Sequence, residues 1–118
     1  MGMAKKISYY RRKADRLLQE WGRRIYKKCL ICGGKLSCLH HYYPKSKSSS
    51  LRYNKDNLIP ICNGCHLQHH TGNPNIHNTV NKIKGEKWLK RLTQKKETHT
   101  KINKKYYEKI IEDLSEDN

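Results

Sequence analysis

The chain has 118 residues, of which 26 are Lys or Arg and 10 are Asp or Glu, so its formal net charge is +16. Apolar residues make up 35% of the chain and there is no Phe, so burial alone leaves little margin over the conformational entropy lost on folding. We therefore expect one domain that is held together by something besides its core. The sequence has no apolar run of about 18 residues, and its first residues lead into lysines, which argues against secretion and membrane spanning and favours the cytoplasm.

The basic residues are concentrated ahead of an acidic tail. Residues 1–107 hold 25 of the 26 bases and 5 of the 10 acids, whereas residues 108–118 hold one base and five acids. Such a field attracts polyanions, so we expect DNA as the partner; a merely soluble lysine-rich surface is the alternative. The residues predicted to contact DNA lie in the first helix and in the loop after the first strand: Arg11, Arg12, Arg16, Arg23, Arg24, Lys45, Lys47 and Arg52.

The first half of the chain reads as a helix followed by a hairpin. Helical spacing runs from Ser8, the expected cap, to about Lys28. Its apolar face comprises Tyr10, Ala14, Leu17, Leu18, Trp21 and Ile25. A short strand over about 37–43 ends at Pro44, and a second strand over 57–61 follows a polar loop, so the two could pair as a long-looped hairpin.

The second half reads as helices. One opens at about His66 and stops at the turn 71–74, and a helical pattern then continues from Ile76 to about Lys96, bent at Gly85. A last helix from about Thr100 would bury an apolar face that either packs on its own chain or serves as a homodimer interface. That face comprises Ile102, Tyr106, Ile110 and Leu114.

Two Cys-x-x-Cys pairs carry the strongest chemical signal in the sequence. Cys29 and Cys32 form the first pair, and Cys62 and Cys65 form the second after 29 intervening residues. A Cys-x-x-Cys turn brings two thiolates to one tetrahedral zinc, and four thiolates close its coordination sphere. We therefore predict a structural Zn²⁺ that compensates for the small core, with two redox dithiols or free thiols as the alternative. The fifth cysteine, Cys38, is expected to be a small buried residue or to exchange with one of the four ligands.

Five of the seven histidines lie between the cysteine pairs or just after them. Since four cysteines already satisfy one zinc, these histidines need another role. His66 and His70 are four residues apart, so on a helix they share one face and can bind a single cation. A third ligand could come from the adjacent His40 and His41 if the hairpin packs on that helix.

This pattern resembles the HNH, or ββα-metal, nucleases, including the colicin DNases. The resemblance spans about residues 29–71, in a variant whose zinc knuckle is supplied by the two Cys-x-x-Cys pairs. It rests on His40 and His41, Asn57, His66 and His70, which follow one another at the family's intervals. The chain departs from the commoner pattern at His40, where Asp is frequent, and at His69, where Lys is frequent.

A narrower resemblance connects the chain to the phage recombination nucleases of the NinG or Rap type. It rests on residues 51–57, 70–73 and 83–88. This resemblance implies a phage- or prophage-encoded protein that acts on branched recombination intermediates in the host cell.

The resemblance to the HNH nucleases implies an endonuclease that uses a metal ion to hydrolyse DNA phosphodiester bonds. In that scheme His41 is the general base that takes a proton from the attacking water, and Asn57 fixes the loop that presents it. A catalytic divalent cation, Mg²⁺, Mn²⁺, Ni²⁺ or Zn²⁺, would be held by His40, His66 and His70. Which of His40 and His41 is the ligand and which the base stays open, because strand alternation directs neighbouring side chains to opposite faces.

The expected fold is α+β. A zinc-stapled ββα-metal core of a short β-hairpin and a helix, over 29–72, would be flanked by a basic N-terminal helix over 1–28 and two C-terminal helices over 73–118. The alternative function is a non-catalytic zinc-knuckle protein that binds nucleic acid. It accounts for the charge and the cysteines equally well, but not for the intervals between His41, Asn57 and the later histidines.

Overall fold

The computed structural model describes residues 5–45, 50–70, 75–98 and 100–116, without the side chains of His69, His70, Asn75 and Glu116. Within these ranges the chain forms a small α+β fold: α1 (Ile7–Ile25), β1 (Cys38–His41), β2 (Leu58–Ile61), α2 (Asn63–His70), α3 (Asn75–Lys84), α4 (Glu86–Lys96) and α5 (Lys104–Glu116). None of the described helices is long and apolar enough to cross a membrane. The turn predicted over 71–74 lies outside the described residues.

Helix α1 forms as its periodicity predicts, with Ala14, Leu18 and Trp21 buried on one face. The predicted cap is wrong: Ser8 lies inside the helix, and the N-cap is Lys6, which makes no side-chain capping bond. The helix also ends earlier than expected, at Ile25, because the chain becomes extended at the next residue. Ile25 is therefore 52% exposed instead of completing the apolar face.

The predicted hairpin is confirmed, since β1 and β2 pair antiparallel with His40 opposite Ile59 and His41 opposite Leu58. Along β1, Leu39 and His41 are buried on one face, whereas Cys38 and His40 are half-buried on the other. Both strands are shorter than predicted. The amide N–H of Tyr43 donates to the side chain of Asn57 at 2.9 Å, so the backbone ladder stops before it.

Helix α1 packs directly on β1. The amide oxygen of Gln19 accepts a hydrogen bond from the backbone N–H of Leu39 at 3.0 Å, and its amide nitrogen donates to the Leu39 carbonyl at 3.1 Å. The largest apolar cluster surrounds this contact and comprises Ala14, Leu18, Trp21, Leu39, Tyr53, Leu58, Tyr107 and Leu114. Tyr107 and Leu114 belong to α5, so this helix packs on its own chain. Ile102, expected in the buried face, precedes α5 and is exposed.

Helices α3 and α4 pack on the residues that flank the hairpin. Trp88 of α4 donates its indole N–H to the carbonyl of Asp56 at 2.8 Å, and Val80 of α3 belongs to the same apolar cluster as Trp88. Gly85 separates the two helices with φ of 92°, a value that glycine adopts without strain. The predicted bend is therefore a complete break, and Ile83, just before it, is exposed.

Candidate metal centre and histidine cluster

Four of the cysteines converge on one point. The sulfur atoms of Cys29, Cys32, Cys62 and Cys65 all lie within 4.8 Å of one another. The Cys32 and Cys62 sulfurs are 3.6 Å apart, close to the roughly 3.8 Å expected between thiolates bound tetrahedrally at about 2.3 Å from zinc. The sequence prediction is thereby confirmed to this extent: the four cysteines form a cluster that could hold a metal ion such as zinc.

The local backbone explains how each pair reaches this arrangement. In the first pair, Gly33 has φ of 74°, which closes the turn after Cys32. The second pair begins α2, where the backbone N–H of Cys65 donates to the Cys62 sulfur at 3.4 Å. That hydrogen bond is the main cause that lowers the pKa of Cys62 to about 7, which favours the thiolate form. The donor set and the convergence of its four sulfur atoms therefore fit a zinc ion.

A second group of potential ligands lies where α2 faces β1. The imidazole centroids of His40 and His66 are 5.4 Å apart with the rings inclined at 59°. Nδ1 of His66 lies 3.8 Å from the sulfur of Cys38. Cys38 and His40 are two residues apart on β1 and so share a face. The proximity of Cys38 to His66 was not predicted from the sequence, although the alternation of side chains along β1 places Cys38 on the same face as His40.

The third predicted ligand, His70, belongs to α2, but its side chain lies outside the described residues. Because α2 begins one residue after Cys62, a metal ion bound by the cysteine cluster would fix the position of this helix relative to the hairpin. The structure thus brings His40 and His66 together, and the role of His70 stays a prediction.

His41 occupies the opposite face of β1 and is 7% exposed. Its Nε2 lies 2.9 Å from the carbonyl oxygen of Arg52. Since a carbonyl can only accept, Nε2 carries the proton and Nδ1 of the neutral ring is left as an acceptor. Burial is the main cause that lowers the pKa of His41, so the imidazole is neutral at pH 7.

Asn57 is fully buried just before β2. Its side-chain oxygen accepts from the Tyr43 N–H, and its side-chain nitrogen donates to the carbonyls of Tyr43 at 3.0 Å and Leu51 at 3.2 Å. These bonds join both sides of the loop between the strands. They are the contacts that a loop-fixing residue makes, and the catalytic role of Asn57 stays a prediction.

The residues predicted to bind DNA fall into two groups. Arg11, Arg12, Arg23, Arg24 and Lys45 are exposed, and Arg16 pairs with Glu20 on the surface of α1. Arg52 differs, because its guanidinium forms a two-point ion pair with the carboxylate of Asp15. Lys47 lies outside the described residues. The ion pair of Asp15 with Arg52 was not predicted from the sequence, in which Asp15 is one of two acids in a strongly basic helix.

Comparison with known proteins gives one partial similarity. No protein-family model matches the chain, and no solved structure matches it. Over 46 residues the chain is 41% identical to a protein of Sarcophyton glaucum described as a mitochondrial DNA mismatch repair protein mutS homolog. The match covers 36% of this chain and 5% of that protein, so the similarity concerns a short segment of a much longer relative.

Proposed function

We propose that this protein is a metal-dependent endonuclease that hydrolyses DNA phosphodiester bonds. The observation that carries the proposal is the arrangement of three histidines on β1 and α2. His40 and His66 lie side by side on one face of β1, and the next residue of the strand, His41, is neutral and oriented by the Arg52 carbonyl on the opposite face. Phosphodiester hydrolysis requires a cation near the scissile phosphate and a base that is unprotonated near neutral pH.

His40 and His66 would hold the divalent cation, with His70 as a third ligand one helical turn further along α2. Imidazoles that bind one ion at about 2.0–2.1 Å have centroids roughly 5 Å apart, close to the 5.4 Å between His40 and His66. Nδ1 of His66 faces the Cys38 sulfur, which leaves Nε2 for the ion. When bound, the ion would stabilise negative charge on the phosphate and the leaving oxygen. With β1, β2 and α2 in sequence, this site would have the ββα-metal arrangement.

His41 would serve as the general base, and Asn57 would fix the loop that surrounds it. The free lone pair of His41 on Nδ1 would accept the proton of the attacking water. The small exposed fraction of the ring suits a base that acts on a single positioned water in a site that excludes bulk solvent.

The basic face of α1 would hold the DNA by its phosphates. Phosphate contacts position a nucleic acid without reading its sequence, so we expect little base specificity from these residues. The similarity to a segment of a protein described as a DNA mismatch repair protein supports a DNA-related role. From the narrower resemblance to NinG- and Rap-type nucleases, we propose branched recombination intermediates as the substrate.

The proposal is tested by nicking of supercoiled plasmid in the presence of Mg²⁺, Mn²⁺, Ni²⁺ or Zn²⁺. The wild-type protein should nick DNA with at least one of these ions, and His41→Ala should lose the activity while still binding DNA in a gel-shift assay. His77→Gln is the matched control, because His77 lies on α3 and stacks on Tyr42, whereas the proposed ligands and base lie on β1 and α2. This variant should nick DNA like the wild type.

Two results would contradict the proposal in different ways. If the wild-type protein binds DNA and nicks it with none of the ions, it is a non-catalytic zinc-knuckle DNA-binding protein. If it nicks DNA and His41→Ala nicks equally well, the general base is another group. Titration of metal into His40→Ala then shows whether the ligand and base roles of His40 and His41 are exchanged.

A further inference from the structure

Hydrogen bonds to the side chain and to the backbone of Arg52 together connect α1 to His41. The carboxylate of Asp15 on α1 accepts two bonds from the guanidinium of Arg52, at 3.1 Å from Nε and 2.6 Å from Nη2. The same carboxylate accepts the hydroxyl proton of Tyr53 at 2.8 Å. The backbone carbonyl of Arg52 then accepts the Nε2 proton of His41 at 2.9 Å.

The geometry of these hydrogen bonds fixes the backbone of Arg52 and Tyr53. Asp15 and Arg52 expose about a quarter of their side chains, 25% and 23%, so water competes little for their bonds. A two-point pair between guanidinium and carboxylate restricts both distance and orientation. The hydroxyl bond from Tyr53 fixes the next residue as well. One carboxylate of α1 therefore anchors two consecutive residues, between which lies the carbonyl that holds His41.

We propose that Asp15 is a positioning residue for His41: through Arg52 and Tyr53 it fixes the carbonyl that keeps the imidazole oriented with its proton on Nε2. The inference rests on the proposed function in one respect: His41 needs a fixed orientation for catalysis only if it is the general base. It also assigns Arg52 a structural role in place of a phosphate contact, because its charge is already paired inside the protein.

The proposal predicts an effect opposite to simple electrostatics. Asp15→Asn removes a negative charge from a DNA-binding helix, so on charge alone it should strengthen DNA binding and leave cleavage intact. If Asp15 positions His41, the variant should instead lose cleavage rate. Misplacement of a reacting group by about 1 Å can reduce a rate roughly 100-fold, so we expect the single-turnover rate to fall about 10- to 100-fold while DNA affinity is unchanged or higher.

The matched control is Glu20→Gln. Glu20 is an acid on the same helix, but it pairs with Arg16 on the exposed surface at 3.5 Å. Removing its charge changes the net charge by the same amount without touching the bonds to Arg52. Its cleavage rate should equal that of the wild type.

A readout that does not depend on cleavage is the tautomer of His41 in the zinc-loaded protein, observed by NMR of ¹⁵N-labelled histidine. The wild-type protein and Glu20→Gln should show a proton on Nε2, and Asp15→Asn should show a mixture of tautomers or a broadened signal. If no variant cleaves DNA but the tautomer changes in this way, the positioning role stands and the nuclease proposal fails.

The opposite results overturn the inference. It is wrong if Asp15→Asn keeps the wild-type tautomer and the cleavage rate of Glu20→Gln. Should Asp15→Asn fail to fold, Tyr53→Phe decides the matter, since it removes one bond to the same carboxylate and leaves the ion pair. A tautomer signal in Tyr53→Phe as sharp as that of the wild type would then overturn the role.

Discussion

Replacing Gly22 by alanine tests how closely α1 lies against β1. A Cβ atom at Gly22 would lie 1.9 Å from Cδ1 and 2.4 Å from Cγ of Leu39. Leu39 is 4% exposed and packs within the apolar cluster between α1 and α5, so a shift of its side chain would disturb other buried side chains. Its backbone is also held by both ends of the Gln19 amide. The alanine variant must therefore either displace the strand or force Leu39 out of its rotamer.

The expected loss of stability follows from two opposing terms. Alanine is favoured over glycine inside a helix by about 1 kcal/mol. Overpacking of a core costs about 1–3 kcal/mol, and a contact of 1.9 Å belongs at the upper end of that range. The net loss is about 2 kcal/mol, which for a domain of this size corresponds to a fall in Tm of roughly 8 °C.

Thermal unfolding of the zinc-loaded protein measures this change, and Gly64→Ala supplies the control. Gly64 is also in a helix, α2, but a Cβ atom there would come no closer than 4.0 Å to the Cys62 sulfur. Gly64→Ala should therefore raise Tm. In a Leu39→Ala background the penalty of Gly22→Ala should disappear, because the clashing atoms are gone. A rise in Tm for Gly22→Ala equal to that of Gly64→Ala would refute the close packing of α1 on β1.

Three further predictions concern metal, salt and pH. Removing zinc with a strong chelator, or replacing Cys62 by Ser, should unfold the chain, which circular dichroism measures. Structural zinc contributes about 10–16 kcal/mol, as much as the whole stability of a typical domain. An unchanged Tm after complete zinc removal would contradict this prediction. The slope of log K for DNA against log salt should become shallower by about 2 in Arg11→Glu/Arg12→Glu. Lys87→Glu on α4 should change the slope less, and identical slopes in the two variants would exclude α1 as the DNA-binding surface. Burial raises the pKa of Asp15, but hydrogen bonds from Arg52 and Tyr53 outweigh burial and hold that pKa below its usual value. The ion pair of Asp15 therefore stabilises the fold fully above about pH 4, and this stabilisation is lost as pH falls through the lowered pKa. The urea midpoints of wild type and Asp15→Asn should therefore converge as pH falls below about 4, and a constant difference would contradict the ion pair.

The features that the sequence predicted are those encoded by local spacing. The apolar positions of α1 follow helical periodicity, so Ala14, Leu18 and Trp21 were identified as buried without any knowledge of what covers them. The cysteine cluster was predicted because zinc chemistry restricts which residue types occur at such spacing. The hairpin was predicted because two short apolar segments flank a polar loop.

The features that the sequence did not predict depend on partners far along the chain. Asp15 and Arg52 are 37 residues apart, and neither has a neighbour in the sequence that would indicate their pairing. The strands end early because the Asn57 side chain takes the place of a backbone partner at Tyr43, a bond that no propensity encodes. The cap predicted at Ser8 is wrong because the N-cap lies two residues earlier, at Lys6, which makes no side-chain capping bond.

Strand β1 is supported from two sides, and this division determines how the proposed site would respond to change. On the face of His40, a metal ion in the cysteine cluster would hold the start of α2 and so set the position of His66. On the face of His41, α1 holds the strand through Gln19 and the neighbouring loop through Asp15. Loss of zinc would therefore act first on the proposed ligand pair, whereas a change in α1 would act first on the proposed base. Because α1 also carries the exposed arginines, DNA bound to its outer face would contact the same helix whose Asp15 is proposed to orient His41.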